Sequence, residues 1–169
     1  GNEKPVHQVT LSDYYIGQTE VTQALWQAVM GNKLSRFGSY NPVECVSWDD
    51  CQEFIKKLNA LTGKCFALPT EAQWEFAARG GNKSKGYKYA GSNNFDEVAW
   101  YCDNSGSVTH PVATKQPNEL GLYDMSGNVS EWCLDRYGAY PLSKDVYYVL
   151  NPQGPSSGLT RVLRGGSWL

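Results

Sequence analysis

The stretch GLYDMSGNVSEW, residues 121–132, decides how this chain is read. Asp124 and Glu131 offer hard carboxylate oxygens seven residues apart. Between them, Ser126-Gly127-Asn128 is a turn-forming triplet that can swing backbone carbonyls inward. Ca²⁺ takes about six to eight such oxygens, mixing carboxylate with carbonyl. A loop giving the side chains of Asp124 and Glu131 and the carbonyls of Gly127 and Val129 would suit that ion. The spacing is not that of an EF-hand, and a plain turn carrying two solvated acids is the competing reading.

Upstream of this loop, three helices carry their own start and stop signals. Thr22 is placed as the N-cap of a helix running to Met30 and ended by Gly31, with Leu25, Ala28 and Val29 on one face. Ser47 opens a second helix, with Asp50 completing a capping box. Its stripe of Trp48, Cys51, Phe54/Ile55, Leu58 and Leu61 has a helical period, and Gly63 stops it. Thr70 and Gln73 open a third in the same way, burying Trp74, Ala77 and Ala78 and ending at Gly80, with Arg79 expected to satisfy terminal carbonyls. Strand signals are weaker: Val9 and Leu11 alternate with polar residues, Tyr14–Ile16 follows, and Arg161–Trp168 reads as a strand interrupted by Gly165-Gly166. Residues 80–161 are rich in Gly, Asn, Ser, Pro and Tyr and show no strong helical pattern. So long a loop region is uncommon without a binding or functional purpose. Trp26, Trp48, Trp74, Trp100 and Trp132 are assigned to the core.

Composition limits the function classes. A chain of 169 residues can bury one core of its own. Fifteen Lys and Arg against 17 Asp and Glu give a net charge of −2, which disfavours nucleic acid and acidic lipid as partners. Charged residues make up 19% and aromatics 13%, including six Trp and 11 Tyr, a balance that suits a broad aromatic contact surface. No apolar run approaches the ~18 residues of a membrane span, and no signal peptide is present. The five cysteines, Cys45, Cys51, Cys65, Cys102 and Cys133, contain no C-x-x-C pair, and His7 and His110 lie far from any close cysteine pair. They read as free thiols, with one or two disulfides as the alternative, and zinc is not expected. The Lys/Tyr segment 83–89 reads as a solvated loop and His110 as structural, while the sequons at Asn82 and Asn128 carry no weight by themselves.

Five strings in order, TEVTQALWQAVMG, VSWDDCQEF, LPTEAQWEFAARGG, PNELGLYDMSGNVSEW and RVLRGGSW, resemble the formylglycine-generating enzyme (sulfatase-modifying factor) family from about Val6 to Leu169. The resemblance implies an α+β fold, a C-type lectin-like variant with few helices, a small twisted antiparallel sheet and many irregular loops, in a single domain over residues 1–169. It implies a calcium loop at Asp124, Gly127, Val129 and Glu131, and a looser second calcium segment at Asn104 and the carbonyl of Gly106. The family's oxidases bind Cu(I) through a cysteine pair that follows the Gly-Gly-Ser-aromatic motif, matched here by Gly165-Gly166-Ser167-Trp168. None of the five cysteines stands at a matching position, and the sequence reads as a family domain trimmed at both ends.

Two functions follow from the resemblance. In the first, the chain is a non-catalytic scaffold or ligand-binding domain, with Ser167 and Trp168 at its binding face and a protein or small molecule as ligand. It is then similar to the variable proteins of diversity-generating retroelements and to bacterial surface lipoproteins, which points to an extracytoplasmic setting. In the second, a cysteine pair beyond Leu169 would make it an oxidase that uses Cu(I) and O₂ to convert a sulfatase cysteine to formylglycine.

Overall fold

The computed structural model describes residue 4 and residues 6–32, 37–140 and 149–169. All three expected helices form between the expected signals. Helix α1 spans Gln23–Met30, and its N-cap Thr22 accepts a hydrogen bond from the Leu25 amide. Helix α2 spans Trp48–Thr62, and α3 spans Glu71–Ala78; both carry the full reciprocal capping box, Ser47 with Asp50 and Thr70 with Gln73. Left-handed glycines, Gly31 and Gly63, close α1 and α2.

The end of α3 differs from expectation. The Arg79 side chain is largely exposed and pairs with Glu75 one turn back, at 2.8 Å, instead of meeting the terminal carbonyls. Those carbonyls are taken by Asn118, whose buried amide donates to Ala77 at 2.7 Å and Ala78 at 3.3 Å. Its Oδ1 accepts from the Leu120 and Leu122 amides, so one side chain ties a helix end to a loop 40 residues away.

Strands are short. β1 (Val9–Thr10), β2 (Ala99–Trp100), β3 (Ser126–Gly127), β4 (Glu131–Arg136), β5 (Val149–Leu150) and β6 (Arg161–Arg164) form three two-stranded ladders. Only β4–β6 is antiparallel, with Glu131 opposite Arg164 and a register irregularity between Trp132 and Arg136. β1–β5 and β2–β3 are parallel. The antiparallel sheet is therefore one ladder among three. Tyr14–Ile16 does not extend a strand; Tyr14 donates to the Gln73 carbonyl and Ile16 packs on the core. β6 stops at Arg164, where Gly165 and Gly166 turn the chain at positive φ. A fourth helix, α4 (Phe95–Val98), is a single turn within the stretch that lacked a helical pattern.

Two apolar centres result. Trp26 and Phe54 stack between α1 and α2, their ring centroids 4.9 Å apart. Trp74, Ala77 and Ala78 of α3 pack with Leu122, Met125, Cys133 and Val162. Of the five tryptophans assigned to the core, Trp26 and Trp74 are buried. Trp48, Trp100 and Trp132 are half-buried and keep their indole N–H on partners: Cys133 carbonyl, Thr114 hydroxyl and Val46 carbonyl respectively. An indole with a polar tip is accommodated most cheaply at the rim of a core. All five cysteines are free thiols, and only Cys133 is fully buried.

Candidate functional site

The segment from Asp124 to Glu131 is an irregular loop feeding β4, and its backbone explains its residues. Asp124, Gly127 and Asn128 all have positive φ, a region open to Gly and tolerated by Asp and Asn. Gly127 lies in β3 directly against β2: a Cβ there would stand 2.3 Å from the Trp100 carbonyl oxygen. Only glycine permits that approach. The Gly127 amide donates to the Gly165 carbonyl, and the Trp168 amide to the Asn128 carbonyl, each at 2.9 Å, so the RGGSW segment is clamped along the loop.

Asn128 organises the surroundings. It is fully buried, and its amide donates to Glu20 Oε2 at 2.8 Å and to the His110 carbonyl. Its Oδ1 accepts from the His110 amide. That position is incompatible with glycan attachment, which needs an exposed asparagine. His110 stacks on Trp100 with centroids 3.7 Å apart and its Nε2 lies 2.8 Å from the Ser105 carbonyl, the structural role expected of it.

Three acids meet at this hub. Asp124 is buried; its Oδ2 accepts from the Ala113 amide, while Oδ1 is buried with no partner. Glu20, contributed by the turn before α1, is buried and accepts from the Val129 amide at 3.0 Å. Burial, and then repulsion from Glu131 and Asp124, pushes its carboxyl well above the usual range against the pull of Val129 and Asn128. Glu131 keeps some exposed surface, but its carboxyl is desolvated and raised to about 7, with the Asp124 charge adding to the shift. The Trp74 indole opposes that shift, although its Nε1 completes no hydrogen bond. Desolvation also raises Asp124. None of the three acids makes an ion pair among the described residues.

Buried carboxylates that repel one another and lack a cation are costly unless something neutralises them. The Gly165 Cα faces the same space: a Cβ there would lie 3.7 Å from the Val129 carbonyl oxygen and 3.8 Å from Glu131 Oε1. The orphaned Asp124 oxygen and the Glu20 and Glu131 carboxyls are hard oxygen donors, of the chemical type that Ca²⁺ takes. Among the described residues, no group of three or more His, Cys, Asp or Glu side chains is placed to hold a metal ion.

The other expected residues lie elsewhere. Asn104 works as a local brace, accepting from the Tyr101 amide and donating to the Ala99 carbonyl, and Gly106 sits on an exposed left-handed turn. The Trp168 carbonyl accepts from the buried Ser105, and Ser167 accepts from the Leu169 amide; both Ser167 and Trp168 are half-buried beside the loop. Glu20 was not singled out by sequence reasoning. Its only signal was a place inside the TEVT string that opens α1.

Residues 1–169 match the sulfatase-modifying factor enzyme 1-like domain. The chain belongs to the sulfatase-modifying factor family. Chaperone protein LppX of Paenibacillus barcinonensis is 35% identical, over 95% of this chain and 71% of its own length. The formylglycine-generating enzyme of Streptomyces coelicolor is also 35% identical, over 88% of this chain but only 49% of its own length. Among solved structures, Treponema denticola variable protein 1 superimposes with a TM-score of 0.87 and 38% identity, covering 96% of this chain and 76% of that one. CarF follows at a TM-score of 0.67 and 30% identity, over 89% of this chain and 73% of its own. The fold is accordingly the C-type lectin-like variant of the formylglycine-generating enzyme family. Among the described residues, no helix is long and apolar enough to cross a membrane.

Proposed function

We propose that this domain is a non-catalytic binding or scaffold module whose irregular half is stabilised by calcium. The ion would be held by the side chains of Asp124, Glu131 and Glu20 with carbonyls from Gly127 and Val129. It would supply charge neutralisation and rigidity, not chemistry. Ser167 and Trp168, clamped to the same loop through Asn128, form part of the face offered to a protein or small-molecule ligand. The observation that carries this reading is the likeness to Treponema denticola variable protein 1, which extends over nearly the whole chain. The reading extends to an extracytoplasmic setting, where calcium modules of modest affinity are filled.

The second reading is a formylglycine-generating oxidase, favoured by the 35% identity to the Streptomyces coelicolor enzyme. The test is to incubate the full-length natural protein with Cu(I), O₂ and a sulfatase-type cysteine peptide, and to weigh the peptide by mass spectrometry. The binding-module reading expects an unchanged cysteine. Conversion to formylglycine at a rate above a copper-only control would replace it with the oxidase.

A further inference from the structure

Trp168 belongs to a closed ring of hydrogen bonds that runs through Ser105, His110 and Asn128. Both of its backbone polar groups are taken. Its amide donates to the Asn128 carbonyl at 2.9 Å, and its carbonyl accepts from the Ser105 hydroxyl at 3.1 Å. Ser105 is buried, on a turn whose next two residues, Gly106 and Ser107, are exposed and left-handed. The Ser107 amide donates to the Ser105 hydroxyl oxygen at 3.2 Å, which leaves the hydroxyl proton for the Trp168 carbonyl.

His110 supplies the next link. Its Nε2 lies 2.8 Å from the Ser105 carbonyl. A carbonyl only accepts, so the neutral imidazole carries its proton on Nε2. The main chain of His110 is fixed in turn by the buried Asn128 side chain. Asn128 Oδ1 accepts from the His110 amide at 3.0 Å, and Nδ2 donates to the His110 carbonyl at 3.2 Å. Asn128 therefore begins and ends the ring: its side chain clamps His110, and its carbonyl takes the Trp168 amide.

The imidazole also stacks on Trp100, with centroids 3.7 Å apart and planes 13° apart. Trp100 has other restraints. Lys115 Nζ stands over its ring at 4.1 Å, and its indole N–H donates to the Thr114 hydroxyl at 2.9 Å. A flat ring of any kind at position 110 would satisfy the stack. The donor to Ser105 is what a phenyl ring could not supply.

We propose that His110 is a positioning residue for the ligand face: its Nε2–H holds Ser105, and the Ser105 hydroxyl then fixes the Trp168 backbone. The inference rests on the reading of Ser167 and Trp168 as part of that face.

The test is amide hydrogen exchange of the isotope-labelled protein by NMR, without ligand or copper. His110→Phe keeps a ring on Trp100 and removes the donor. His110→Gln loses the ring but places an amide N–H as many bonds from the backbone as the histidine Nε2–H. The Trp168 amide should exchange about tenfold faster in His110→Phe, with the amides of α2 unchanged, and His110→Gln should restore it to within about threefold of the unaltered protein. Ser105→Ala, which leaves the stack untouched, should give the same local acceleration as His110→Phe. Unaltered Trp168 exchange in Ser105→Ala, a Gln variant no better than Phe, or an acceleration shared equally by α2 overturns the proposal. Failure here strikes the positioning role alone. Formylglycine formation in the peptide assay would instead remove the ligand face and leave the exchange pattern standing.

Discussion

The α1–α2 pair and the stretch from Asn104 to Glu131 are held together by different physics. In the helical pair, backbone groups satisfy one another within each helix, caps close the ends, and stacked Trp26 and Phe54 supply the cohesion. In the irregular stretch there are few ladders to use. Buried polar side chains take over the backbone's hydrogen bonds: Asn118 for the end of α3, Asn128 for His110, Glu20 for Val129 and Asp124 for Ala113. A fold can dispense with regular secondary structure if it buries enough well-placed amides and acids. The cost is that each such side chain is irreplaceable, and that acids buried for this purpose need a counter-charge.

Four substitutions probe that contrast. The largest effect belongs to Gly127→Ala. The new methyl would meet the Trp100 carbonyl at 2.3 Å from a left-handed backbone. The cost should exceed about 5 kcal/mol, visible as loss of a cooperative thermal transition. In the helical pair, Phe54→Ala should cost about 4 kcal/mol by urea denaturation, because it removes a buried ring from its stack. Asn118→Ala should cost about 2–3 kcal/mol, since it strands carbonyls at the end of α3 and two loop amides. A cost below about 0.5 kcal/mol would break the contrast, because polar hubs would not then be what holds the irregular half.

The smallest effect is at the start of α2. Ser47→Ala should cost about 1 kcal/mol. It should also change the acid limb of the stability curve. Ser47 holds the Asp50 carboxyl below its ordinary value through its hydroxyl and its amide. A depressed folded pKa adds stability above the ordinary carboxylate value, lost as pH falls through the folded one. Removing the hydroxyl should flatten that acid-side loss, measured as melting temperature against pH below about 4.

The same contrast explains what could be read in the sequence. Caps at Thr22, Ser47 and Thr70 act on amides three residues away, so a local pattern revealed them. The Asp124–Glu131 loop was legible because its acids and its glycine are close together in the chain. Glu20 reaches Asn128 across 108 residues, and Asn118 reaches Ala77 across 41. No local pattern reports partnerships of that length. The strand β4 was missed for a related reason: EWCLDR alternates poorly, and its partner β6 arrives only after residue 160. Arg79 was misassigned because a basic residue at a helix end has two acceptors within reach, and the Glu75 carboxylate is the stronger.

Under the proposal above, calcium completes the buried acids around Asn128. The direct measurement is the melting temperature of chelator-stripped protein as calcium is added back. Calcium bound there should give a saturable rise of several degrees, absent when Asp124→Ala and Glu131→Ala are combined. An identical melting temperature in chelator and in millimolar calcium would contradict it.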